Sequence, residues 1–530
     1  MSGRAPIAVA CALAAALATP AAARRDHSLS GDATKAARLI AEARLDDARP
    51  IVDELSRRAP DAAEVRWLAS QVAFLDGDYP TAVAKLDGVA DSEVGGEVGA
   101  ARVLATRTRD LTAGFARRDS PAGRFELAYP PGVDEVLVDL AGEALDRAWE
   151  RIGDDLGYRP TRKVRVEILG APADLAKLSP LTETDIETTG TIALSKYEKL
   201  MLVSPRATLT GYPWLDSLVH EYTHYVVAHA SRDTVPVWLH EGLARFEQTR
   251  WRSDAGGGLT AIEQQLLATA LKTRRLIDLD AMHPSMAKLP SAEAAALAYA
   301  EVLTLVAWLH GKVGYAGLRQ ALALQAGGKS ARRALAEVTD TTWIKFEKDW
   351  RAHLRTLDLS GGRATGVRSA KHARIRFAKG GAASDNVGLD DIASAKARKF
   401  ARLGGMLRAR GMTAAAAVEY GKSMAAAGNA DPIVAGKLAR VWVELGEFDK
   451  AIALAEPLAA VDDTDAVPAV TLGLARAGKH DDAGAVAAFE QAVRISPFDP
   501  AVRCGLADGY AALSDPRAAR ERAACNRVRP

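Results

Sequence analysis

The stretch Trp214–Glu247 reads WLDSLVHEYTHYVVAHASRDTVPVWLHEGLARFE. It holds H-E-x-x-H as His220, Glu221 and His224, followed by W-L-H-E-G-L-A, which carries Glu241. On a helix, residues four apart lie about 40° apart around the axis, so His220 and His224 project side by side. Two imidazoles placed that way can fill two corners of a zinc tetrahedron. Glu221 points to their flank, within reach of a water at the metal and without being a ligand. Zinc brings the pKa of such a water towards neutrality, and a carboxylate can take its proton during attack on a carbonyl. A third ligand is needed. The extended motif with Gly at 227 and His at 230 is excluded, because the chain has Val227 and Ala230. His229 lies about 180° around the helix from His220 and cannot join from the same helix. Glu241 and its neighbour His240 remain.

V-H-E-Y-T-H followed by V-P-V-W-L-H-E-G-L-A-R-F resembles the gluzincin zinc metallopeptidases, closest to the peptidase MA-like group. The resemblance covers about 115–357, under half the chain. It implies that Glu241 is the third ligand to Zn2+, with His220 and His224, and that Glu221 is the general base. It also implies a small sheet ahead of the zinc helix, with an edge strand that binds substrate backbone by strand addition. Gly190–Leu194 is the segment assigned to that edge. Ala298-Tyr299-Ala300-Glu301-Val302-Leu303 resembles a segment of gluzincin aminopeptidases whose Tyr donates to the tetrahedral oxyanion, which gives that role to Tyr299. Val302 stands where that family often has Gly. Another departure is Arg245, four residues after Glu241, where thermolysin-type relatives hold a ligand histidine with an acidic residue. The residue in that supporting role is therefore left open, with Glu247 and Asp216 as candidates. Nothing matches the G-x-M-E-N segment that grips a free amino terminus, so exopeptidase specificity is not implied.

Outward from this centre, the 530 residues carry a formal net charge of +2 and are 48 % hydrophobic, enough for about three domains. A near-neutral chain argues against nucleic acid as the main partner. Residues 1–23 read as a signal peptide: Arg4, an apolar run over Ile7–Leu17, Pro20, then Ala21-Ala22-Ala23. The chain is therefore expected to be exported, periplasmic or extracellular. No later stretch reads as long and apolar enough to span a membrane.

Residues 30–112 read as alanine-rich helices with a weak 34-residue repeat, Leu45 matching Tyr79 and Ala48 matching Ala82. That period resembles tetratricopeptide repeats. Phe125–Tyr129 and Val164–Leu169 alternate as strands, Thr191–Leu194 and Leu200–Ser204 read as a further pair, and the zinc helix is expected over 212–230. Ser291 is a good N-cap for a helix over 292–312, followed by Gly314. Residues 358–392 form a basic, glycine-rich linker. From 393 to 530 the turns at Gly411, Gly446 and Gly478 recur 35 and 32 residues apart, each followed by an alanine-rich helix. This is a second tetratricopeptide-like array, a class that presents a concave face to peptides or protein partners. Cys504 and Cys525 flank the turn Ser514-Asp515 at nearly equal distances, so an antiparallel hairpin brings them level for a disulfide.

The expected fold is α+β and mostly helical, a gluzincin-type domain with a small sheet between two sets of helical repeats. The expected function is exported, zinc-dependent hydrolysis of peptide bonds in a peptide or protein substrate. The alternative is a repeat-built scaffold whose peptidase-like domain binds protein partners without cleaving them.

Overall fold

The alternating runs Val164–Leu169 and Lys199–Val203 lie side by side in the middle of a sheet. The computed structural model describes residues 27–95, 97–283, 285–286, 289–360, 375, 377, 388–429, 431–461 and 464–529. Among them five strands form one sheet: β1 (Ala116–Asp119), β2 (Phe125–Tyr129), β3 (Val164–Leu169), β4 (Ala193–Lys196) and β5 (Lys199–Val203). Their order is β1-β2-β3-β5-β4. The three inner strands run parallel, with Leu127 opposite Val166 and Val166 opposite Leu200. β1 and β4 pair antiparallel at the two edges. Val164, Val166, Ile168, Leu200 and Leu202 turn to one face, into a core shared with the helices Val138–Leu156 and Trp214–Ser231.

The polar face of β3 is covered by protein. Glu167 is buried and Lys199 is fully buried. Lys199 Nζ donates to Glu167 at 2.7 Å and to the Tyr79 hydroxyl at 3.0 Å, and Tyr79 donates in turn to Glu167. A buried ion pair keeps its charges only if each finds a partner, so Tyr79 seats the N-terminal helices on the sheet. Leu45 and Tyr79, the residues matched at the 34-residue offset, each open a helix: Leu45–Arg58 and Tyr79–Leu86.

β1 carries no alternating signal in A-R-R-D and is a strand because it pairs with β2. β4 and β5 lie slightly displaced from the expected pair. They are joined by Tyr197-Glu198, both with positive φ (59° and 56°), as a tight two-residue hairpin requires. Neither residue is Gly, Asn or Asp, so the usual turn signal is missing.

The H-E-x-x-H helix spans Trp214–Ser231 and stops at Arg232, which adopts the left-handed conformation. Its start has no side-chain cap. Instead the backbone N–H groups of Tyr212 and Trp214 donate to the carbonyls of Ile495 and Arg494, and Trp214 Nε1 donates to Val493. The C-terminal array thus satisfies donors that a helix start leaves open.

Ser291 caps the helix Ala292–Ala326, accepting from Ala294 N, and the helix breaks at Gly314 (φ 60°). By length and composition alone this helix could cross a membrane, which corrects the reading that no later stretch could. Its apolar residues Ala298, Val302, Leu305, Val306 and Leu309 all lie buried in the protein core. The same helix buries Glu301, whose Oε1 accepts from Ile277 N at 2.9 Å while Oε2 has no hydrogen-bond partner. Burial pushes its carboxyl up to about 8, against the opposing pull of Ile277 N–H and Arg351. A carboxyl raised in the folded state favours folding below its unfolded pKa and loses that contribution as pH climbs towards 8. Glu301→Gln should therefore stabilise the protein by about 3 kcal/mol at pH 7. Thermal melts at pH 5 and pH 8 check this: the wild-type midpoint should fall more steeply with pH than that of the variant.

Among the described residues after 392 are four helical hairpins, Ala395–Ala409 with Thr413–Ala426, Pro432–Glu444 with Phe448–Val461, Ala466–Gly478 with Asp482–Val493, and Pro500–Ala512 with Ala518–Val528. Cys504 and Cys525 form a disulfide across the last of these, with Cα atoms 4.8 Å apart. Arg503, almost fully buried, pairs with Glu521 at 2.8 Å and donates to the carbonyl of Val136 at 2.8 Å. The end of the array therefore packs on the sheet-bearing domain. The signal peptide read at 1–23 and most of the linker read at 358–392 lie outside the described residues.

Candidate metal centre

His220 and His224, one turn apart, stand edge to face with ring centres 4.7 Å apart. The Nε2 atoms of both turn to one oxygen, Glu241 Oε2, at 3.3 and 3.5 Å. Ligand atoms of His220, Glu221 and His224 all lie within 4.8 Å of one another. Glu241 reaches this point from the helix Val237–Glu247. Gly242 lets that helix press against the Ala292–Ala326 helix: a Cβ there would meet the Val302 carbonyl and Val306 Cγ2 at 2.8 Å.

His240 is not part of this convergence. Its Nδ1 lies 2.6 Å from Nδ1 of His224, on the ring edge away from Glu241. If His224 uses Nε2 as a ligand, its Nδ1 carries the proton and His240 accepts it. Burial pushes the His240 imidazolium down to about 3, with His224 adding to the effect and Glu241 opposing it. The supporting role expected of Glu247 or Asp216 is not theirs. Asp216 accepts from Trp251 Nε1 and pairs with Arg252 at 2.6 Å. Glu247 is fully buried beside Arg250 and Asp155. Arg245 pairs with Glu263 at 2.6 Å. His229 lies on the far side of its helix, bonded to Glu198 at 3.0 Å and stacked on Tyr158.

Burial pushes the Glu221 carboxyl up to about 7. His224 and the backbone N–H of Ser195 oppose the rise, and the Glu241 charge adds to it. Ser195 belongs to β4, so the edge strand sits directly against the H-E-x-x-H helix. The edge expected at Gly190–Leu194 is in fact Ala193–Lys196. Burial alone would raise Glu241, but the His224 and His220 rings hold it well below the usual carboxylate range. The Tyr299 phenol is pushed well up, first by Glu241, then by burial and Glu221, and Arg245 opposes. Tyr299 therefore lies within electrostatic reach of both carboxylates. Ser195 was invisible to sequence reasoning, since nothing in A-L-S-K marks one backbone N–H. The role of His240 had one available signal, its place next to Glu241 on a helix.

The donor set fits a divalent metal ion. Glu241 Oε2 is buried without a hydrogen-bond partner, yet two imidazole Nε2 atoms are aimed at it. A buried carboxylate oxygen left unpaired is costly unless a cation completes the group. Two nitrogens and one oxygen, with further positions open, is the ligand pattern of catalytic zinc.

No curated protein matches the chain. Residues 144–356 match the family model of the Peptidase MA superfamily, a span that holds His220, Glu221, His224, Glu241 and Tyr299. This part of the chain is similar to the Peptidase MA superfamily, which supports a peptidase-like domain there.

Proposed function

We propose that the chain is a zinc metallopeptidase of the gluzincin type. The observation that carries this reading is the convergence of two histidine Nε2 atoms on the unpartnered oxygen of Glu241. His220, His224 and Glu241 would hold the zinc. When bound there, zinc supplies Lewis acidity: it polarises a carbonyl and makes a water acidic enough to act at neutral pH. Glu221 accepts the proton of the attacking water and passes it to the leaving amine. Tyr299 donates a hydrogen bond to the developing oxyanion. β4, paired on one side only, offers its open edge to an extended substrate backbone. His240 holds His224 in its ligating orientation. The helical hairpins on both sides are read as tetratricopeptide-like modules for protein partners, and residues 1–23 as a leader for export.

The test is metal content together with turnover of a peptide library by the full chain. One zinc per chain and zinc-dependent cleavage of peptide bonds are expected. Zinc without cleavage would favour the scaffold reading instead. Tyr299→Phe should keep the zinc and the melting temperature and reduce turnover by roughly a hundredfold, the usual scale for one oxyanion donor. Steady-state kinetics decide this, and unchanged turnover would make Tyr299 an ordinary packed aromatic.

A further inference from the structure

The helix Ala395–Ala409 contains no acidic residue and carries Lys396, Arg398, Lys399, Arg402 and Arg408. At 100° per residue, Lys396, Lys399, Arg402, Leu403, Met406 and the C-cap Arg410 fall within about one third of its circumference. All six are exposed. Ala397, Ala401, Gly404 and Gly405 face the other way and are buried against the rest of the hairpin. The exposed third is therefore a basic face with two large apolar side chains set into it. Leu403 is 42 % exposed and Met406 is 49 % exposed, too much for residues that serve the core. Met412, just ahead of the partner helix Thr413–Ala426, and Val418 on it are also exposed, at 53 % and 57 %. Glu419, the only acid of that partner helix, is paired with Lys422 at 2.6 Å. Asp390 and Asp391 precede the basic helix rather than lying on this face.

This hairpin opens the C-terminal array. An end repeat usually turns a polar outer face to water, and this one exposes leucine, methionine and valine among cations. A solvated face would gain nothing from these apolar side chains, and a polyanion groove would favour aromatic side chains for stacking. Cations interleaved with Leu and Met on a helix match a bilayer interface: the apolar side chains enter between headgroups while Lys and Arg stay at the phosphate level. A negatively charged leaflet supplies the complementary charge.

We propose that the exposed face of Ala395–Ala409 docks the protein peripherally on an anionic lipid surface. This rests on the hairpin alone and is independent of the peptidase reading. The experiment is co-sedimentation of the full chain with vesicles of phosphatidylcholine containing phosphatidylglycerol, against vesicles of phosphatidylcholine only. Binding to the anionic vesicles is expected, weakening as salt is raised. The double variant Lys399→Glu, Arg402→Glu should bind at least about tenfold more weakly, and Leu403→Ser with Met406→Ser several-fold more weakly. Helix content and melting temperature should stay as in wild type, because all four side chains are exposed. Equal binding to both vesicle types would overturn the proposal. So would wild-type binding by the charge-reversed variant, which would place the contact elsewhere in the chain. Retention on heparin without sedimentation on anionic vesicles would also overturn it, in favour of a soluble polyanion.

Discussion

Glu221→Gln is expected to retain one zinc per chain and to lose peptide hydrolysis by about a thousandfold or more, within the range that general-base catalysis supplies. The substitution is nearly isosteric. Gln keeps a carbonyl oxygen that can accept the Ser195 N–H now directed at Glu221. It cannot accept a proton, so the one capacity removed is the one assigned to Glu221. The buried side chain loses no charge partner essential to the fold, since Glu221 is only 8 % exposed and already sits where burial disfavours its charge. Zinc analysis and kinetics on the same sample decide the matter. A variant that turns over within tenfold of wild type would remove Glu221 from the chemistry. A variant that loses the metal would make it a ligand instead.

What sequence revealed of this centre follows from range. His220, Glu221 and His224 lie within one and a half turns of one helix, so spacing alone places them on adjacent flanks. Glu241 sits on a second helix, whose approach depends on Gly242 and on packing against the Ala292–Ala326 helix. Only the resemblance singled it out from His240. Tyr299 was likewise named only by the resemblance, because no local pattern relates it to Glu241 and Glu221, whose charges act on it through tertiary packing. Asp216 is taken up by Arg252, 36 residues away, a pairing that no local pattern shows, while Glu247 lies beside Arg250, three residues on, and Asp155.

The sheet divides along the same line. Val164–Leu169 announces itself by alternation, yet alternation suggests water on the Glu167 side, where Tyr79 stands. The partners at the start of the H-E-x-x-H helix, Arg494 and Ile495, lie about 280 residues away, beyond the reach of any local pattern. The last hairpin was legible to the level of its disulfide, since Cys504 and Cys525 are nearly equidistant from a local turn. Local periodicity and hairpin symmetry can be read directly. Which surface covers a polar face cannot.

Glu241→Ala should abolish stable zinc binding, whereas His240→Ala should only weaken it. The distinction rests on which nitrogen each residue meets. Glu241 Oε2 faces Nε2 of both His220 and His224, the atoms that would ligate. His240 faces Nδ1 of His224, the atom that orients the ring. Removing a ligand takes away a charge and a coordination bond together. Removing an outer partner frees the ring to rotate, which typically costs roughly 10–100-fold in affinity. Alanine is the best helix former, so neither change should break the helix Val237–Glu247. Glu247→Gln is a useful control on that helix: it should leave zinc affinity as in wild type, because Glu247 turns to Arg250 and Asp155. Competition against a chromophoric chelator measures all three variants on one scale. If Glu241→Ala keeps its zinc while His240→Ala loses it, the two residues exchange roles, and the third ligand is the histidine.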